Sequence, residues 1–144
     1  NWSLTHVGPI PERQKLLLPQ IKYLGSLSDE GQLKNIYDDH DVLVCPSISE
    51  GMPNVIMEAM SRGLAIIATD VGATKILVSK KNGWLISSRK RIELERSIAS
   101  AISLNKSELI EMKKISIEQI KNDYLWESIA LRFVDWINNF PKQK

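Results

Sequence analysis

Cysteine is nearly missing from this chain. Cys45 stands alone, so no disulfide frames the fold, and the sequence suits a reducing compartment. Histidine is almost as scarce: His6 and His40 have neither zinc-ligand nor catalytic-triad spacing, and neither a metal nor another cofactor is expected. A dominant charge is missing too. The 19 Lys and Arg against 17 Asp and Glu leave a net +2, which gives no ground for a nucleic-acid partner. No apolar run approaches the length of a bilayer span, and the opening NWSLTH is neither basic nor followed by a signal-like core, so a cytoplasmic location is expected. Neither a P-loop nor a G-x-G-x-x-G motif is present, and there is no repeat or low-complexity linker.

What is present is the material of a packed domain. With 144 residues, 43% of them hydrophobic, residues 1–144 read as one domain with a real core. Short aliphatic and β-branched runs at 4–7, 21–24, 42–45, 64–68 and 84–86 read as strands. Between them, 12–18, 30–37, 53–62 and 72–78 read as helices, an alternation that suits right-handed crossovers in a parallel sheet. Beyond Ser87 the pattern is helical only. Ile92, Leu94, Ile98, Ala101 and Ile102 mark one helix, residues 109–120 a second and 126–140 a third. In the last, Trp126, Ile129, Phe133, Trp136 and Ile137 form a stripe of the kind that packs rather than one that holds a cofactor. The fold class is α/β, a parallel sheet flanked by helices with further helices at the C-terminus.

The chemistry concentrates in residues 42–63, VLVCPSISEGMPNVIMEAMSRG. A buried strand ends at Cys45, turn-forming residues 46–51 follow, and Pro53 sits where a first helical residue tolerates proline. Val55, Met57, Ala59 and Met60 are placed to pack, and Gly63 to end the helix in a left-handed cap. In a parallel sheet the loop after such a strand opens on the ligand-binding edge. Glu50 lies in that loop, Asn54 in the first helical turn, and Glu58 on the same helix face as Asn54. Free amides at the helix start favour phosphate, and a carboxylate suits adjacent hydroxyls of a sugar. Acidic residues also gather at helix starts merely to complement the dipole. Residue chemistry alone leads to a phosphate or polyol site.

Glu50 and Glu58 are embedded in PS-x-x-EG-x-x-N-V-x-x-EAM-x-x-G, followed by a buried strand and TDVGA. This resembles the E-x7-E region of retaining glycosyltransferases with two Rossmann-like halves, the GT-B fold, and in particular family GT4. Residues 23–27, YLGSL, resemble the family's nucleobase loop, and 82–85, NGWL, its NG-hydrophobic run. The likeness extends from about residue 4 to 140, although VGPIPE replaces the usual residues before the glycine-proline turn.

The resemblance implies a Rossmann-like, donor-binding C-terminal half of a GT-B enzyme. It implies a UDP- or GDP-sugar donor with its base near Gly25 and Leu27, its ribose on Glu58, and its diphosphate at the Asn54 and Val55 amides. Gly51 and Met52 complete the donor loop, and Glu50 is the catalytic-site carboxylate, positioning the sugar rather than attacking it. A glycan or lipid-linked acceptor, and a place in bacterial lipopolysaccharide or surface-polysaccharide synthesis, come with the family. So does the expectation that the first β/α unit, with its Arg and Lys, and the N-terminal acceptor half lie outside this sequence, leaving the piece inactive alone. Ile76 stands where relatives often carry an acid, in GATKI rather than GG-x-x-E.

Other signals are weighed against these. Asp39-His40-Asp41 contains D-x-D, but it precedes a strand, at the edge opposite the ligand crevice, so a solvated helix end is the simpler reading. Lys80-Lys81 and Arg89-Lys90-Arg91 read as solvated loop ends, with peripheral contact to anionic lipid as the sharper alternative. The competing function is a non-catalytic nucleotide-binding or protein-interaction α/β module.

Overall fold

The computed structural model describes residues 2–87 and 90–140. They fall into two compact units, 1–39 and 40–144. The first holds β1 (Leu4–His6), a 3-10 turn at Glu12–Gln14, β2 (Ile21–Tyr23) and α1 (Glu30–Asp38). β1 and β2 run parallel, with Leu4 opposite Ile21 and His6 opposite Tyr23. Where a helix is expected over 12–18, only the 3-10 turn forms. Pro11 and Pro19 bracket the segment, leaving no room for the several turns a stable helix needs. α1 begins where Asp29 accepts a hydrogen bond from the Gly31 amide at 2.8 Å.

The second unit holds β3 (Val42–Cys45), α2 (Asn54–Ser61), β4 (Ala65–Thr69), α3 (Thr74–Leu77), β5 (Gly83–Ile86), α4 (Arg91–Ser103), α5 (Lys106–Asp123) and α6 (Trp126–Asn138). Its sheet is parallel in the order β3-β4-β5. Parallel pairing is thus as the alternation predicts, but it is divided between a two-stranded and a three-stranded sheet. β4 is central and buried throughout, which is why Ala65–Thr69 reads as an uninterrupted apolar run. α2 and α5 pack on each other and on β4, and α4 packs on β4 and β5.

Pro53 caps α2 instead of opening it, and the buried face is Ile56, Ala59 and Met60. Val55, expected inside, is exposed because the inward stripe runs one residue later. Gly63 ends the helix with φ +78, as its left-handed cap requires. A Cβ there would lie 2.9 Å from Ile117 Cδ1, so the same glycine lets α5 approach. α5 outruns the expected 109–120 because Asn105 and Glu108 form a reciprocal capping box.

Asn82 is the polar pin of this unit. Fully buried, it donates to the Leu77 carbonyl at 3.0 Å and accepts from the Ser79 amide at 2.8 Å. α6 is arranged differently. Ser128 donates to the Lys121 carbonyl and Arg132 bonds the backbone and carboxylate of Asp123, so the helix meets α5 through its polar side. Its stripe, expected to pack and in part to be interface left exposed in this piece, is solvent-exposed within this chain, Trp126 by 82%.

Candidate functional site

β3 delivers its loop at the carboxyl edge of the three-stranded sheet. Cys45 is buried there, with its Sγ 3.5 Å from Ser47 Oγ. β4 ends beside it, and the Thr69 hydroxyl donates to the Ser47 carbonyl. Four residues on, the Ala73 amide donates to the Gly51 carbonyl at 2.9 Å. Between these two links, Gly72 presses its backbone onto the 50–51 peptide. A Cβ at Gly72 would stand 2.0 Å from the Glu50 carbonyl oxygen and 2.7 Å from that of Gly51. Its φ of +55 is a second reason for glycine at this position. The loops after β3 and β4 are therefore stitched together along residues 47–51 and 69–73.

This stitching fixes the entry into α2. Pro53 is buried, and its carbonyl accepts from the amides of Ile56 (3.1 Å) and Met57 (3.3 Å). The amides of Asn54 and Val55 fall in the first turn, for which a helix supplies no acceptor of its own. They stand at the positive end of the helix dipole, where an anion is favoured. Glu50 is half-buried just before them, and Gly51, Met52, Asn54, Val55 and Glu58 are exposed. Glu50, Gly51, Met52, Asn54, Val55 and Glu58 thus lie on one loop-helix segment, the carboxylate of Glu50 preceding the free amides and that of Glu58 following them.

Gly25 and Leu27 belong to the first unit. There the loop after β2 is tied to the loop after β1: Gly8 donates its amide to the Gly25 carbonyl at 2.7 Å, and Leu24 donates to the His6 carbonyl at 3.0 Å. Ile76 is exposed on α3, with its carbonyl accepting from Gln119 Nε2 at 2.9 Å. Asp41 of the D-x-D stretch pairs with Lys113 at 2.8 Å. Among the described residues no three His, Cys, Asp or Glu side chains cluster as a metal site. Nor is any described helix long and apolar enough to cross a membrane. Of the basic runs, Lys80, Lys81, Lys90 and Arg91 are exposed, and Arg89 lies outside the described residues.

Thr69, Gly72 and Ala73 shape the site without having been singled out by sequence. Only TDVGA signals them, and in it Gly72 reads as the start of a helix rather than as a wedge.

The family model for Glycosyl transferases group 1 matches residues 1–103. The chain belongs to the group 1 glycosyl transferases. One relative, the putative colanic acid biosynthesis glycosyltransferase WcaL of Escherichia coli K12, is 27% identical over 136 residues, covering 86% of this chain and 34% of its own length. Another, an Escherichia coli UDP-Gal:alpha-D-GlcNAc-diphosphoundecaprenol alpha-1,3-galactosyltransferase, is 39% identical over 66 residues, covering 45% of this chain and 17% of its own. This group 1 chain thus spans about a third or less of these relatives. Anabaena Alr3699/HepE, crystallised with UDP-glucose, superposes with a TM-score of 0.68 at 22% identity over 86% of this chain and 34% of its own. The likeness is one of fold, and the fold is the α/β architecture of GT-B glycosyltransferases.

Proposed function

We propose that this chain carries the donor site of a glycosyltransferase that moves a hexosyl group from a nucleoside-diphosphate sugar to a glycan or lipid-linked acceptor, in bacterial surface-polysaccharide or lipopolysaccharide synthesis. The observation that carries the proposal is the start of α2, where the Asn54 and Val55 amides stand without helical acceptors between two carboxylates in a braced loop. The diphosphate is held by those amides. As the glycosidic bond lengthens, negative charge grows on the leaving β-phosphate, and donors already in place stabilise it without reorganising. Glu58 accepts from the ribose diol. Glu50 accepts from hydroxyls of the sugar and positions it, its charge favouring the electron-poor anomeric carbon; transfer proceeds with retention. The UDP-galactose donor and lipid-diphosphate acceptor in the name of the galactosyltransferase relative support the choice of substrates.

The test is ligand-observed NMR with UDP, GDP, ADP and CMP at millimolar concentration, on the wild type and on Glu58→Ala. One nucleotide binds selectively, and the variant weakens it by about 1–3 kcal/mol, the range for hydrogen bonds to a charged group. Equal binding by both proteins removes Glu58 from the site. Absence of binding by a full-length protein removes the donor assignment.

A further inference from the structure

The first unit carries a histidine whose two ring nitrogens stand in opposite surroundings. His6 is half-buried at the end of β1, and its carbonyl accepts from the Leu24 amide at 3.0 Å. Its ring centroid lies 5.8 Å from that of Tyr23, with the two planes tilted by 44°. Its Cε1 faces Gly8, where a Cβ would stand 4.0 Å away. Nδ1 is buried and has no hydrogen-bond partner among the described residues, whereas Nε2 is neither buried nor bonded to any of them. A buried N–H without an acceptor is rarer and costlier than a buried lone pair without a donor. The proton of the neutral ring therefore sits on Nε2, and the ring presents a hydrogen-bond donor to solvent.

This donor stands at the carboxyl edge of β1 and β2, the edge at which parallel strands take their ligands. The loops that leave that edge, 7–10 and 24–28, are joined by the bond from the Gly8 amide to the Gly25 carbonyl, and neither holds a charged residue. Gly8 and Gly25 have φ of +117 and +67, and a Cβ at Gly25 would meet nothing within 4 Å, so the backbone there is bare and the space beside it open. Bare backbone, an aromatic neighbour and one neutral donor, with no cation for a phosphate and no carboxylate for a diol, suit the flat, uncharged part of a nucleotide. We propose that His6 selects the base, its Nε2–H donating to O4 of uracil or O6 of guanine. Cytosine and adenine carry an amino group at that place, which sets donor against donor. The inference rests on the reading of this chain as binding a nucleoside-diphosphate sugar, and it adds which bases are accepted and what rejects the others.

The experiment is titration of the full-length protein with UDP, CDP, GDP and ADP, read by nitrogen-15 NMR of the histidine rings and by the dissociation constants. Without ligand the His6 ring gives the Nε2–H pattern. UDP binds about tenfold more tightly than CDP, or GDP than ADP, the scale of one hydrogen bond made or opposed, and the preferred nucleotide moves the Nε2 signal. His6→Phe keeps a ring beside Tyr23 and Gly8 and removes both nitrogens. It brings UDP level with CDP and GDP level with ADP to within about twofold, while its thermal midpoint stays at or above that of the wild type because an unpaired buried nitrogen is gone. A histidine that only packs would leave those ratios unchanged in His6→Phe, a result that overturns the inference and leaves the donor site standing. An Nδ1–H pattern, or tighter binding of CDP or ADP than of its keto counterpart, overturns it likewise. Absence of binding by all four removes the donor reading and this inference with it.

Discussion

Replacing Gly72 by alanine tests whether the loop after β3 is held by the loop after β4. Two costs arise in the folded state. A φ of +55 is unfavourable for an L side chain by about 1–2 kcal/mol. The new Cβ would fall 2.0 Å from the Glu50 carbonyl oxygen, and no rotamer can relieve that, because neither partner is a flexible side chain. Forcing an extra methyl into a packed contact adds about 1–3 kcal/mol, so the total is about 2–5 kcal/mol. That lies within the stability of an ordinary domain, about 5–15 kcal/mol, so the variant should still fold with the 50–51 peptide displaced. Urea unfolding measures the first effect, and nucleotide titration by NMR the second, because a shifted Glu50 changes the approach to the Asn54 and Val55 amides. Gly51→Ala is the stability control, since a Cβ there meets nothing within 4 Å. If Gly72→Ala unfolds at the wild-type urea concentration, or Gly51→Ala is equally damaging, the bracing of the loop is wrong.

Further outcomes follow from the same structure. Asn82→Ala leaves the buried Leu77 carbonyl without its side-chain donor and should cost about 1–3 kcal/mol in chemical unfolding, the penalty for a buried group left unpaired. Asn105→Ala removes the capping box of α5 and should cost about 1 kcal/mol, read in the same assay. Glu93 titrates below its ordinary 4.5, chiefly because the Ser87 amide, and then the Ser87 hydroxyl and Lys90, hydrogen-bond its ionised carboxylate. Since the folded state depresses this pKa, its contribution is present above 4.5 and is lost as pH falls through the lower folded value. Carbon-13 NMR of the Glu93 carboxyl should show that low midpoint, and Ser87→Pro, which removes the amide donor, should move it back toward 4.5.

Much of the fold was readable because its periodicity is strong. β3 falls where Val42–Cys45 was read, and α1 differs from its reading by a single residue. The carboxylates and helix-start amides of the candidate site are legible because one continuous stretch of sequence carries them all. The rest depends on partners distant in sequence. Nothing local says that Gly72 backs on Glu50, and the gain of a buried Ile56 over Val55 is a matter of helix phase that Pro53 sets by capping instead of entering the helix. The aromatic stripe of α6 reads as a face that packs, whether within this chain or as interface with a neighbouring part. In this chain it is turned outward, because hydrophobic pattern shows that a face seeks cover and not where the cover comes from.

The stitching of the two loops also constrains how this protein can be recombined with its relatives. A crossover between residues 51 and 72 would join the loop after β3 of one parent to the Gly72 wedge of another, and the two must agree at a backbone contact that has no slack. A crossover after Ala73 carries both loops together, with the Ala73–Gly51 hydrogen bond intact. Residues 47–73 therefore form the smallest block that can be exchanged with both loops matched.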